Sequence, residues 1–211
     1  MRVAVVGYGA WGPNHVRNFV NLLGVSNVVV VEADAERRAQ AVERYPGIES
    51  ASELSKVLGD PTVQAVCIAT PTHTHFTLTR DALKAGKHVL CEKPLAETGE
   101  ESVELVELAR SSGRVLMVGF VFIHNPGIRA LKTLITDGDL GSVYYLSAVR
   151  SNLGPIRDDV NAAFDLAAHD ISIFNWLLEA EPVLVSALGG AFIQPGIEDV
   201  TFISLRYPND V

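Results

Sequence analysis

Residues 3–12, Val-Ala-Val-Val-Gly-Tyr-Gly-Ala-Trp-Gly, run from an apolar stretch straight into a glycine-rich turn. A short continuous apolar run of this kind reads as a strand buried on both faces. Beyond the turn, Val16, Phe19, Val20 and Leu23 recur at helical spacing, so the glycines join a strand to a helix. In such a unit Gly7 permits the tight turn, Gly9 lets the backbone approach a pyrophosphate, and Gly12 lets the helix pack close to the strand. The anion then rests on the unpaired N–H groups at the positive end of the helix. Ala10 and Trp11, between the last two glycines, belong to the same cofactor-binding set. A second apolar run, Val28 to Val31, ends at Glu32, twenty positions after Gly12. That is where a dinucleotide-binding unit places the acid that meets the adenosine ribose. Asp34 reads as the cap of a helix carrying Glu36 to Arg44.

Strands and helices go on alternating. Ser50 and Glu53 fit a capping box before Leu54, Val57 and Leu58, and Val66-Cys67-Ile68-Ala69 reads as a further buried strand. It ends in Thr70-Pro71-Thr72-His73-Thr74-His75, which leads into a helix closing at Gly86. Val89-Leu90-Cys91 is the next strand and runs into Glu92-Lys93-Pro94. Thr98 and Glu101 form a second capping box, and Val115 to Val118 completes the series. Such alternation predicts a doubly wound parallel sheet with helices on both faces, in which ligands bind outside the carboxyl ends of the strands. Gly7 to Gly12, Thr70 to His75 and Glu92 to Pro94 all fall at such ends and are expected to converge.

From about Phe120 the pattern becomes α+β, which places a boundary near Gly119: residues 1–119 form the dinucleotide-binding domain and 120–211 a second domain. Asn125-Pro126 caps a helix with Ile128, Leu131 and Ile135 facing inward. Ser142 to Ser151 reads as a strand, Asn152 to Ala163 as an irregular loop, Phe164 to Leu178 as a helix, and Val183 to Leu188 and Val200 to Tyr207 as strands. Three strands and two helices make a thin domain, so one sheet face is expected either to be an oligomer interface or to await further chain.

The formal charge of −8 argues against nucleic acid or an anionic membrane as the main partner. Met1 runs directly into a strand and no apolar stretch reaches membrane-spanning length, so a cytoplasmic location is expected. Cys67 and Cys91 lie in apolar runs and read as reduced, buried thiols. His73 and His75 lack the spacing of a metal set, and no metal is expected. His15, one turn into the first helix, reads as packed or exposed rather than catalytic.

With Gly7-Tyr8-Gly9-Ala10-Trp11-Gly12, Glu92-Lys93-Pro94 and Asp165-Leu166-Ala167-Ala168-His169 in hand, the chain resembles the glucose-fructose oxidoreductase / inositol dehydrogenase / rhizopine-catabolism (Gfo/Idh/MocA) family. The resemblance covers essentially the whole chain. It implies an NAD-dependent sugar dehydrogenase with an N-terminal Rossmann domain and an α+β open-sheet domain. Members usually continue well beyond the point reached here, with strands that complete a sheet used for dimer or tetramer contacts, so a homo-oligomer through the C-terminal sheet is expected of a longer chain. The stretch from Arg150 to Arg157, with His169, looks most like enzymes oxidising nucleotide-linked amino sugars at C3. A free cyclitol dehydrogenase and a non-catalytic dinucleotide-binding sensor or remnant are the alternatives.

Asp165 and His169 are four apart and would share a helical face. Neutral imidazole at His169 suits removal of a hydroxyl proton, and Lys93, by the resemblance, donates to the same oxygen and stabilises charge on it; the sequence leaves open which of the two takes the proton. Asp165 would hold a neighbouring hydroxyl, and Arg150, Asn152 and Arg157 are candidate contacts to a phosphate or sugar carboxylate. The resemblance also brings Thr70, Pro71, Thr72, His75, Glu92 and Lys93 into the cofactor-binding set. Glu32 predicts NAD over NADP, because its carboxylate would repel a 2′-phosphate; Arg37 and Arg38 lie close enough to oppose that preference.

Overall fold

β1 (Arg2–Val6) has no solvent face: Val3, Ala4, Val5 and Val6 are all buried. A strand of this kind is stable only between two others and beneath helices on both sides. The computed structural model, which describes residues 1–151 and 160–211, puts it there. Two units are distinguishable, Met1–Gly119 and Phe120–Val211.

In the first unit β1 is followed by α1 (Gly12–Leu23), β2 (Val28–Val31), α2 (Ala35–Arg44), β3 (Glu49–Ala51), α3 (Ser55–Leu58) and β4 (Val63–Ile68). Then come α4 (His75–Lys84), β5 (His88–Cys91), α5 (Gly99–Ser111) and β6 (Leu116–Val118). All six strands are parallel, in the order β3-β2-β1-β4-β5-β6. Alternate side chains of each strand feed two cores, as the two-residue strand period requires. Ala4, Val6, Val29, Val31, Val66 and Ile68 pack with Leu83 of α4 and Leu105 of α5. Val3, Val5, Val28, Val30 and Cys67 pack on the other face with Val16 of α1 and Ala41 of α2. The strand order reverses between β1 and β4, the switch point where such sheets open a ligand crevice.

Two helix caps in this unit form as their sequences predict. Asp34 Oδ1 accepts the Glu36 and Arg37 N–H groups at 2.9 Å each, and Thr98 Oγ1 accepts the Glu101 N–H at 3.2 Å. The predicted box at Ser50 does not form. Ser50 lies within β3, paired with Val30 of β2, and α3 begins after Leu54 with no side-chain cap. The edge of a valine-rich strand claims Ser50 before a one-turn helix can.

In the second unit a 3₁₀ turn at Val121–His124 precedes α6 (Pro126–Thr136), whose cap Asn125 accepts the Gly127 N–H at 2.8 Å. A π-helical turn, Ala163–Ala167, leads into α7 (Ala168–Leu178), which buries His169, Ile173 and Leu177 on one face. β7 (Leu184–Gly190) and β8 (Val200–Arg206) pair antiparallel, from Leu184 opposite Arg206 to Gly190 opposite Val200. The strand predicted over 142–151 is absent: no described residue of that stretch joins a sheet, and Tyr144, Tyr145 and Val149 are exposed. Tyrosine and valine favour strands through packing against neighbours, and among the described residues no strand edge pairs with them.

Candidate functional site

The three glycines of the first turn are required for different reasons. Gly7 has φ +93°, and a Cβ there would lie 2.6 Å from the Ala69 carbonyl oxygen. At Gly12 a Cβ would lie 1.9 Å from the Gly7 oxygen, so α1 sits directly on the turn. A Cβ at Gly9 would meet nothing nearer than Arg37 Nη1 at 3.5 Å. Gly7 and Gly12 are therefore glycine for the fold, and Gly9 leaves room for an approaching group. Trp11 gives α1 no side-chain cap, and its first turn holds no acid, which leaves that helix end to a bound anion.

Glu32, at the end of β2, is buried and organises the opposite wall. Its Oε2 accepts the Tyr8 N–H at 2.6 Å and its Oε1 the Asp34 N–H at 2.9 Å. A carboxylate has about four acceptor positions, so both oxygens can still receive ribose hydroxyls. Arg38 is turned to the backbone, donating to the Glu32 carbonyl oxygen at 2.6 Å. Arg37 instead lines a cavity of about 450 Å³ beside the glycine turn, with Tyr8, Gly9, Pro13, Gln40 and Arg44. An open glycine, an uncapped helix end, a carboxylate and a cationic cavity together fit a dinucleotide.

The turns after β4 and β5 flank this region, since β1, β4 and β5 are neighbours in the sheet. Thr72 and His75 are buried; Thr70 and Lys93 are partly buried, and Pro71 is exposed. His75 braces the two turns: Nδ1 is 2.7 Å from the Pro94 carbonyl oxygen and Nε2 is 2.9 Å from that of Thr70. With both nitrogens facing backbone, His75 holds the turns rather than presenting a nitrogen to a ligand. The Lys93–Pro94 peptide is cis. Glu92, beside it, lies with Oε1 2.7 Å from His15 Nε2. Because a carboxylate can only accept, the Nε2–H of His15 is the donor. His15 was not singled out by the sequence, and its partner is 77 residues away.

Lys93 belongs to the first unit, Asp165 and His169 to the second. Asp165 lies in the π turn and His169 in the first turn of α7, so the widened turn replaces the regular four-residue spacing expected between them. The His169 ring packs edge-on against Phe122, centroids 4.8 Å apart. Phe122 in turn lies under the Arg150 guanidinium, 4.5 Å from the ring centroid, and Arg150 Nε donates to Asp170 Oδ2 at 2.8 Å. Arg150, a predicted phosphate contact, thus already has a carboxylate partner and an aromatic one. Phe122 and Asp170 carry no motif that the sequence could have flagged. Asn152 and Arg157 lie outside the described residues. Burial pushes the Cys67 thiol up, and that of Cys91 up to about 12, which removes both as nucleophiles near neutral pH.

A family model described as "Oxidoreductase family, NAD-binding Rossmann fold" matches residues 1–120, and one described as "GFO/IDH/MocA C-terminal domain" matches residues 128–211. Inositol 2-dehydrogenase 2 of Saccharopolyspora erythraea is 32% identical over all of this chain and 64% of its own length. The scyllo-inositol 2-dehydrogenase (NAD(+)) of Bacillus subtilis is 34% identical over 94% of this chain and 60% of its own. Among solved structures, a UDP-N-acetylglucosamine 3-dehydrogenase from Acidithiobacillus ferrooxidans superposes with a TM-score of 0.84 at 29% identity, over 100% of this chain and 66% of that one. The chain thus spans a little under two thirds of the length of these relatives.

Proposed function

The chain belongs to the Gfo/Idh/MocA oxidoreductase family and carries its NAD-binding Rossmann domain, and from that premise we propose that it serves a dehydrogenase oxidising a ring hydroxyl of a cyclitol or sugar. The observation that carries the reading is the gathering of the glycine turn, the Thr70 turn and the Glu92-Lys93-Pro94 turn at the ends of the adjacent strands β1, β4 and β5. When bound, NAD supplies the hydride acceptor. The N–H groups around Gly9 and Trp11 hold the pyrophosphate, and Glu32 accepts the ribose hydroxyls. His169 takes the hydroxyl proton through its imidazole as the alcohol becomes a ketone. Lys93 donates a hydrogen bond to the same oxygen, and Asp165 orients the ring through a neighbouring hydroxyl.

A free cyclitol is the first substrate to test, because relatives at 32% and 34% identity act on inositol and Arg150 already has a carboxylate partner. A nucleotide-linked amino sugar is the second, supported by the UDP-N-acetylglucosamine 3-dehydrogenase likeness. The full-length protein is to be assayed with NAD against both classes, following nicotinamide absorbance. Turnover on a polyol is expected, and Lys93→Met and His169→Ala are each expected to lower kcat at least about 100-fold, with NAD affinity kept in His169→Ala. NAD binding without turnover on any member of the panel would favour a sensor, and near-normal kcat in both variants would remove the assigned roles. The exposed Leu184, Leu188 and Phe202 of the β7–β8 pair support a homo-oligomer formed through this sheet, which light scattering on the full-length protein checks.

A further inference from the structure

The side chain of Glu92 meets His15 and Gly119, both far from it in sequence, and the N–H of the adjoining Lys93. His15, on α1, donates from Nε2 to Oε1 at 2.7 Å, and both side chains are largely withdrawn from water, at 16% and 12% exposure. The Lys93 N–H lies 3.4 Å from Oε2. Beyond β6, Gly119 closes the third side: a Cβ there would stand 3.0 Å from Oε2 and 3.2 Å from Oε1, so only glycine leaves the carboxylate where it is. On its strand side Glu92 is anchored by its N–H, which donates to the Ile68 carbonyl oxygen at 2.9 Å, so a shift of its side chain bears on the peptide that follows, to Lys93. One carboxylate therefore links the helix that rises from the glycine turn to the residue beside Lys93.

We infer that His15 is a positioning residue, which through Glu92 fixes the end of β5 carrying Lys93 relative to the dinucleotide turn. This rests on the function proposed above for Lys93. The physical basis is the strength of a charge-assisted hydrogen bond shielded from water and the cost of leaving a carboxylate there without it. Loss of the bond frees the Glu92 side chain to seek solvent and drag on the adjoining peptide. A displacement of about 1 Å at a reacting group can cost about 100-fold in rate. Binding of the dinucleotide, which depends on the glycine turn and Glu32, is left intact.

The test compares His15→Ala, His15→Gln and Gly119→Ala in the full-length protein. His15→Ala is expected to lower kcat about 10- to 100-fold while the Kd for NAD stays within about twofold. His15→Gln, whose amide can donate to the same oxygen, is expected to recover most of that loss. Gly119→Ala crowds the carboxylate from the other side without touching α1, and is expected to lower kcat in the same way if His15→Ala does not fold. A second readout needs no turnover: the ¹³C-methyl signal of reductively methylated Lys93, assigned by its disappearance in Lys93→Met. It is expected to shift in His15→Ala and to return in His15→Gln. A Lys93 signal unmoved in both His15→Ala and Gly119→Ala overturns the inference, as does a kcat within twofold of wild type, or a loss that glutamine does not relieve. If wild type binds NAD and turns nothing over while the Lys93 signal still responds, the dehydrogenase reading fails and the positioning role stands.

Discussion

Replacing Gly12 and Gly9 by alanine, one at a time, separates a glycine required by packing from one required by a ligand. The new methyl at position 12 would stand 1.9 Å from the Gly7 oxygen, where ordinary contact begins near 3.4 Å, so α1 must retreat by about 1.5 Å. That retreat loosens Val16, Phe19 and Val20 from the core they share with Val3, Val5 and Val30. Overpacking of this kind costs about 1–3 kcal/mol, and backbone that cannot yield puts the expectation at the upper end. At about 2–4 °C per kcal/mol, Gly12→Ala lowers Tm by about 6–12 °C. Gly9 lies outside the left-handed region and its Cβ would make only ordinary contact, 3.5 Å from Arg37 Nη1, so Gly9→Ala keeps or slightly raises Tm. Its cost falls on the ligand: the methyl occupies the approach to the turn and weakens NAD by about tenfold or more. Thermal unfolding by circular dichroism and calorimetric titration with NAD read the two effects. A Gly9→Ala protein that melts as early as Gly12→Ala, or a Gly12→Ala protein that melts like wild type, would refute the division.

Three further outcomes follow from side chains described above. The Asp34 carboxyl is held below its usual range, first by the Arg37 N–H, then by the Glu36 N–H and the nearby arginines. Its folded pKa is therefore below its unfolded value of about 3.9, and its stabilisation is present above that pH and fades as pH falls. Asp34→Ala should lower Tm at pH 7 and narrow the gap to wild type near pH 3, and an equal gap at both pH values would contradict the cap. Cys67 and Cys91, with thiols pushed up by burial, should be silent to a thiol reagent in the native protein and both react after denaturation; rapid native labelling would contradict their burial. Tyr8 is buried and its hydroxyl has no hydrogen-bond partner among the described residues, so Tyr8→Phe should keep or raise stability by up to about 1 kcal/mol. A clear fall in Tm would show that the hydroxyl has a partner.

What the sequence revealed and what it concealed divide along the range of the interactions. Strand, turn and helix around Gly7 to Gly12 are local, and so are the caps at Asp34, Thr98 and Asn125, where the residue that accepts is two or three positions from the groups that donate. The Ser50 cap failed because a parallel strand, β2, competes for the same backbone and lies far back along the chain. The strand expected over 142–151 failed for the complementary reason: its composition favours pairing, but pairing also needs a neighbouring edge. His15 was passed over because nothing near it in sequence explains it, and only the folded sheet brings Glu92 to it. Phe122 and Asp170 gain meaning the same way, through Arg150 and His169.

The turn at Ala163–Ala167 carries one more implication. A π turn is an α-helix that has accommodated a surplus residue, and removing Ala167 would let the regular repeat resume. Each residue of an α-helix accounts for about 100° of rotation but only about 1.5 Å of rise. Losing a single alanine would leave Asp165 three positions before His169 on a regular turn, roughly 60° from it around the axis and on the same face, while Ile173 and Leu177 kept their seats. Insertions and deletions at this point are thus a rotary adjustment of one acid, available to natural drift or to an engineer, that leaves the remainder of the helix as it was.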